Sequence, residues 1–323
     1  MATVAAAITA YNRADYVTKC IQSLLDSEKE GAIELTLILL DNGSTDGTAD
    51  KVRAMSDRVR IIRNEQNMPF PPTLNRALGA ALEARTDFVI LMNDDTSLLP
   101  DCLPRLIEAA RERPKALFTP LQLNYRVPEH IDNNALASIR ACRDLVEDAI
   151  LERPLRPVYE LPTIIGAGLF ARREVYEEIG EFDTLFLFYG IDDDYCKRAR
   201  ALGFGLLLVP EAQMYHAHGL LVDEIKEDKD AWWRRWRSGL QARFMFILKE
   251  PSRPMWLNYV RAAGFALMYS MQDLSKLWLK GAAETLRIYL RLLMQYRKVR
   301  DARTRHFRLA GARDEPKGGA VGA

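Results

Sequence analysis

The chain has 323 residues, 48% of them hydrophobic and 28% charged, with 45 Lys+Arg against 44 Asp+Glu. This is ordinary globular composition, long enough for one large domain with an appendage, and it excludes disordered, collagen-like and small disulfide-scaffold classes. A formal net charge of +1 argues against a dedicated nucleic-acid binder, although the stretch from Lys280 onward carries eleven Lys/Arg against four Asp/Glu and is locally basic.

In chain order, the first half alternates short β-rich runs with helical patterns. Val4 to Thr9, Leu35 to Leu40, Val59 to Ile62 and Phe88 to Met92 predict strands, and Ala14 to Leu25, Ala49 to Met55, Pro72 to Ala84 and Asp101 to Arg111 predict helices. Such β-α-β-α alternation implies an α/β fold with a mostly parallel sheet, helices on both faces, and ligands bound beyond the carboxyl ends of the strands. The middle, Leu121 to Leu161, is polar and punctuated by Pro128, Pro154 and Pro157, and it is expected to be an irregular specificity region. Order returns with Thr163 to Ala171, helices near Arg173 to Ile179 and Asp192 to Leu202, and a strand at Leu206 to Val209. Beyond Lys226 the pattern is helical, and the tail from Gly311 reads as disordered. The expected organisation is therefore an α/β domain over 1–225, divided at about 120. A helical region over 226–310 and a tail over 311–323 follow.

Four clusters carry residues suited to chemistry. Asn93-Asp94-Asp95 follows an apolar strand, and paired carboxylates there suit a hard divalent cation, which in turn grips a diphosphate. A turn with a helix N-cap is the structural alternative. Asp41 directly follows Leu37 to Leu40, placing its carboxylate at the ligand-facing edge, while Asn42-Gly43 and Asp46-Gly47 are turn signals. Asp192-Asp193-Asp194 precedes a helix bearing Lys197, Arg198 and Arg200; acids there complement the helix dipole, but three in a row exceed capping, and mutual repulsion raises a carboxyl toward the range of a general base. His216 and His218 are two of only four histidines, and neutral imidazole is a good ligand for manganese-like metals beside a carboxylate such as Asp95.

The ordered set resembles the family 2 inverting glycosyltransferases of GT-A fold, in particular their rhamnosyltransferase-like branch, from about Thr3 to Gly219. The matching pieces are Ala7 to Arg13, the Asp41 to Gly47 turn, Asn93 to Thr96, Gly166-Ala167-Gly168, Gly180 to Asp183, Phe188 to Gly190, and Val209 to Ala212 ahead of His216. The resemblance implies a GT-A, Rossmann-like sheet with a C-terminal helical extension, and makes 1–225 the catalytic domain, with a nucleotide-binding half to about 120 and an acceptor-side half over about 121–225. It implies that Thr9, Tyr11, Arg13, Asp41, Asn75, Asp94 and Gly168 line the nucleotide-sugar pocket, with Asp41 accepting from the base and Asp94 near the ribose. It places Mn2+ or Mg2+ on Asp95 and His216 and makes Asp192 the base that deprotonates the acceptor hydroxyl, with Asp193 as a rival one residue on. The implied reaction is metal-assisted, inverting transfer from a UDP- or dTDP-linked sugar to a glycan or lipid-linked hydroxyl in cell-surface polysaccharide or glycolipid synthesis. Two departures stand out: Gly190-Ile191-Asp192 replaces the family's Gly-Glu-Asp, and Asn67-Met68-Pro69 replaces its Asn-x-Gly turn. The Ile191 departure gives weight to a rival reading, a non-catalytic nucleotide-sugar-binding subunit of a glycan assembly complex.

Location is read from three features. Cys20, Cys102, Cys142 and Cys196 stand apart without a C-x-x-C pair, which fits a reduced cytoplasm. Met1 to Ala10 lacks a basic leader, and the near-apolar run Met255 to Met271 is broken by Asn258 and Arg261 short of a bilayer's width. Trp232, Trp233 and Trp236 interleave with Arg234, Arg235 and Arg237, and Leu286, Leu290 and Leu293 share a helix face flanked by Arg287 and Arg291. This pattern fits either packing onto the catalytic domain or a helix lying on the inner face of the plasma membrane.

Overall fold

The computed structural model describes residues 1–30, 33–217 and 229–311. Its chain divides into two compact units, Met1–Phe182 with Asp192–Asp228, and Asp183–Ile191 with Lys229–Ala323.

The first unit is built on a mixed sheet. Strands β1 (Ala2–Ala10), β2 (Ile33–Asp41), β3 (Val59–Arg63) and β4 (Phe88–Asn93) are parallel neighbours in the order β3-β2-β1-β4. β1 and β4 read as nearly unbroken apolar runs because both of their faces are covered. On one face Val4, Ala6 and Ile8 meet Val17, Ile21 and Leu24 of helix α1 (Ala14–Glu30) and Leu103 and Leu106 of α4 (Cys102–Glu112). On the other, Ala5, Ala7, Ile38 and Leu40 are equally buried, and α3 (Phe70–Glu83) packs on β1 and β2. α2 (Thr48–Met55) joins β2 to β3.

Past β4 the sheet departs from simple alternation. β5 (Thr96–Leu98), β6 (Ala116–Asn124), β7 (Tyr159–Glu160), β8 (Gly168–Arg172) and β9 (Gly205–His216) extend it as β4-β8-β6-β9-β5, with β7 pairing β9. β8 runs antiparallel to both β4 and β6, and β5 and β7 run antiparallel to β9. The pairings thus divide evenly where alternation alone predicts a mostly parallel sheet. The α/β class stands. The middle segment expected to be irregular instead holds the end of β6, α5 (Asn133–Arg140), α6 (Arg143–Ile150) and β7. The last strand is also longer than Leu206 to Val209 suggests: β9 continues past Pro210 to His216 across a register shift opposite Pro120/Leu121. Two helices complete the unit, α7 (Arg173–Ile179) and α8 (Ile191–Ala201), the latter beginning one residue before the boundary between the units.

The second unit is helical: α9 (Lys229–Lys249), α10 (Met255–Ser275), α11 (Leu279–Met294) and α12 (Tyr296–Gly311). The segment Asp183–Ile191 packs on α9, where Ser238 accepts from the Tyr189 amide at 2.9 Å and buried Lys249 pairs with Asp183 at 2.8 Å. Gly190, at φ 81°, is required there, since a Cβ would lie 3.0 Å from both Ala242 and Phe186. The tail residues 312–323 and His218 lie outside the described residues.

Candidate active site

Parallel register brings the ends of β1, β2 and β4 together: Ala10 pairs with Asp41 and Thr9 with Asn93. Asp41 is fully buried, and its Oδ1 accepts from the Ser44 amide at 2.9 Å. Oδ2 accepts no hydrogen bond, although Arg63 Nε stands 3.4 Å away, so this buried oxygen is available to a ligand N–H. The turn after Asp41 is fastened to the segment after β1. Asn12 donates its amide to Ser44 and accepts from Thr45, and Asp46 accepts from the Ala14 amide and from Thr48. Asp46 therefore serves the turn and the start of α2, as its Asp-Gly context suggests.

Asn42 is a residue that sequence reasoning missed as anything but a turn signal. Its side chain donates to Asn67 and Met68 O and accepts from Asn64, Met68 N and Thr73. That network fixes the loop containing Pro69. Gly43 (φ 81°) permits the arrangement, because a Cβ would meet the Gln66 backbone at 2.6 Å.

Asp94 and Asp95 lie buried beyond β4. Tyr11 donates its backbone amide to Asp94 at 3.3 Å, and Arg13 Nη1 stands 3.6 Å from Asp95 Oδ2. Burial, reinforced by the Asp95 charge, pushes the Asp94 carboxyl far above the usual carboxylate range, against the opposing pull of Arg13 and the Tyr11 amide. The end of β9 completes the group. The Ala217 amide donates to Asp95 O at 2.9 Å, which sets buried His216 with Nε2 3.6 Å from Asp95 Oδ1. On the other side of the ring, Asp132 Oδ1 lies 3.9 Å from His216 Nδ1. Asp132 is the N-cap of α5, accepting from Asn134 and Ala135, and it is a second residue the sequence did not single out.

These residues fit a divalent cation. Asp95 Oδ1 is buried and accepts no hydrogen bond. Two donors about 2.0–2.2 Å from one ion stand about 3–4 Å apart, and 3.6 Å lies in that range. A carboxylate behind the far nitrogen of a ligating histidine is the usual orienting partner. Among the described residues no group of three or more His, Cys, Asp or Glu is arranged to hold a metal ion, and Asp95 with His216 forms a pair.

Asp192 reaches the same neighbourhood through one dipeptide. Ala167 O accepts from Asn93 N at 3.4 Å, and the Gly166 amide donates to Asp192 Oδ2 at 3.1 Å. A Cβ on Gly166 would stand 2.6 Å from Asp192 Oδ1, so this position admits only glycine with the acid in place. Burial pushes the Asp192 carboxyl up to about 6, with the Gly166 amide opposing and Asp193 assisting. Asp193 is exposed and accepts from Thr163, and Asp194 is spent on buried Arg198, which also ties down Ile179 O and Glu181 O. Ile191 is buried.

Two further expected pocket residues make contacts of their own. Asn75 exchanges two hydrogen bonds with the Phe182 backbone and holds that loop. Gly168 packs against Met214, whose Sδ a Cβ would approach to 2.8 Å. A cleft of about 360 Å3, lined in part by Arg143, Asp144, Arg156 and Arg200, lies beside β7 and not on the acid cluster.

Residues 6–180 match the family described as Glycosyl transferase family 2. Among curated relatives, the N-acetylglucosaminyl-diphospho-decaprenol L-rhamnosyltransferase of Mycobacterium tuberculosis is 26% identical over 212 residues, covering 56% of this chain and 66% of that protein. The succinoglycan biosynthesis protein ExoO of Rhizobium meliloti is 33% identical over 104 residues, covering 32% of this chain and 28% of that protein. The chain therefore spans somewhat less than two thirds of the rhamnosyltransferase's length. Among solved structures, the mannosyltransferase PcManGT from Pyrobaculum calidifontis with GDP-Man and Mn2+ superposes with a TM-score of 0.55 at 16% identity, over 90% of this chain and 86% of that one. GalNAc-T7 with UDP, GalNAc and Mn2+ gives 0.51 at 14% identity, over 67% and 43%. At these identities the two structures speak for the fold.

Proposed function

Because the chain belongs to glycosyl transferase family 2, we propose that it transfers a sugar, with inversion, from a UDP- or dTDP-linked donor to a hydroxyl of a glycan or lipid-linked acceptor in cell-surface polysaccharide or glycolipid synthesis. The observation that carries this reading is the position of Asp41, Asp94, Asp95 and His216 at the ends of strands of one sheet, with Asp95 3.6 Å from His216 and the Gly166-Ala167 dipeptide linking the end of β4 to Asp192. The decaprenol-linked acceptor in the relative's name supports a lipid-linked substrate, and the Mn2+ in both solved neighbours supports a divalent metal.

In this scheme Asp41 Oδ2 accepts from the nucleotide base, and Asp95 and His216 hold Mn2+ or Mg2+. A cation held there would supply positive charge against the negative charge developing on the departing nucleoside diphosphate. Arg13, beside Asp95, adds positive charge to the same place. Asp192 takes the proton of the acceptor hydroxyl as its oxygen bonds to the anomeric carbon; the bond to the diphosphate breaks, and its electron pair leaves with the nucleotide. The raised carboxyl of Asp192 suits a base working near neutrality.

Thermal unfolding of the full chain with UDP-, dTDP- and GDP-sugars, with and without Mn2+, tests the donor side. One donor at a hundred times its Kd is expected to add about 2.7 kcal/mol, only with metal. A shift that is the same without metal, or absent for all donors, would contradict the scheme. Metal-dependent stabilisation without turnover would favour the non-catalytic subunit.

A further inference from the structure

Fourteen of the 22 exposed large hydrophobic side chains among the described residues fall between Lys229 and Gly311, and they are arranged in rows. On α10, Trp256, Val260, Leu267, Met271 and Leu274 are all exposed and, with Gly264 between them, recur at steps of three and four residues, which is one helix face. On α11, Leu279, Leu286, Leu290 and Leu293 are exposed at steps of seven, four and three, again one helix face. The opposite faces hold the two helices together, with Tyr259 donating to Leu292 O and Ser270 to Ala282 O. Where the helices join, Leu277 is 87% exposed at φ 56°, a backbone conformation that leucine rarely adopts. Beside it Trp278 meets Trp233 and Trp236 edge to face, and Lys280 stands 4.3 Å over the Trp233 ring.

The charges on this hairpin are of one sign at the surface. Its two acids, Asp273 and Glu284, are 7% and 3% exposed, and Glu284 is paired with Arg237 and Arg287. Arg261, Lys276, Lys280 and Arg287 are exposed, and on α11 Lys280, Arg287 and Arg291 flank the apolar row. No described helix is long and apolar enough to cross a membrane.

We infer that the α10–α11 hairpin is a docking surface for an anionic lipid bilayer, its apolar rows in the headgroup–acyl boundary, its basic flank on the headgroups and Leu277 inserted at the tip. A solitary apolar row could equally be covered by a second copy of this chain, but that would bring like-charged flanks together, whereas an anionic membrane complements them. The surface is independent of the transfer chemistry.

The test is sedimentation of the full-length protein with vesicles of phosphatidylcholine alone and of phosphatidylcholine with a minority of phosphatidylglycerol. Binding is expected to be at least about tenfold tighter to the anionic vesicles and to weaken in high salt. Leu277→Asp with Leu267→Asp, and separately Arg261→Glu with Lys276→Glu, should each weaken it about tenfold or more while thermal unfolding and donor-induced stabilisation stay as in the parent. Because all four positions are exposed, loss of binding in a folded variant supports the surface. No binding to anionic vesicles, equal binding to neutral ones, or a stable dimer that Leu267→Asp splits would overturn it.

Discussion

As the proposed base, Asp192 carries the heaviest chemical demand of any single residue, and its surroundings prescribe two outcomes. Asp192→Asn keeps the shape and the Gly166 contact but cannot take a proton. Turnover should fall about 10²- to 10⁴-fold with donor-induced stabilisation intact, and near-parental turnover would remove Asp192 as the base. Since burial lifts the carboxyl to about 6, it is protonated and inactive below that pH and ionised above it. The kcat/KM profile should therefore rise through about pH 6 as pH increases; a flat profile across that range would contradict the assignment. Gly166→Ala tests the neighbour. Its new Cβ would collide with Asp192 Oδ1, and displacing a catalytic group by about 1 Å costs about 10²-fold, so activity should drop while stability changes little. Asp41, Asp94, Asp95, His216 and Asp192 were singled out by the order of their clusters along the chain and the family resemblance that order carries, and the structure brings Asp95 to 3.6 Å from His216. The need for glycine at 166 and the engagement of Asn75 with Phe182 were not legible, because both depend on contacts between segments 26 and 107 residues apart.

At the scale of elements, the sheet's carboxyl edge organises the site, and the first four strands announce themselves through β-rich runs, two of which, β2 and β4, are closed by acids. β8 and the second half of β9 do not. β8 pairs antiparallel with strands far from it in sequence, and the shift opposite Pro120/Leu121 hides the continuation of β9 from any alternation pattern. Missing that continuation also hid Asp132, which reaches His216 only because α5 starts beside the end of β9. Asp132→Asn preserves the N-cap, since Asn caps as well as Asp, but removes the charge behind the imidazole. The variant should fold like the parent and need about tenfold more Mn2+ or beyond for half-maximal donor stabilisation. Unchanged Mn2+ dependence would leave Asp132 with its capping role alone.

Over the whole chain, sequence and structure agree on an α/β unit followed by helices. The inclusion of Asp183–Ile191 with the helical unit was not foreseeable, because the Tyr189–Ser238 and Asp183–Lys249 contacts join segments 49 and 66 residues apart that share no periodic signal. The apolar row of α11 was partly visible in Leu286, Leu290 and Leu293 sharing a helix face, whereas the α10 segment read only as a near-apolar run. The burial of both acids was not visible, since pairing of Glu284 with Arg237 is again a long-range contact. The central claim, metal-assisted glycosyl transfer at the strand-end cluster, is tested most directly by nucleoside diphosphate release from a panel of UDP-, dTDP- and GDP-sugars, with and without Mn2+, comparing the parent chain with Asp95→Ala. The account predicts release from a UDP- or dTDP-linked donor that requires Mn2+ and is abolished in Asp95→Ala. Release that persists without metal, or survives in Asp95→Ala, would contradict it.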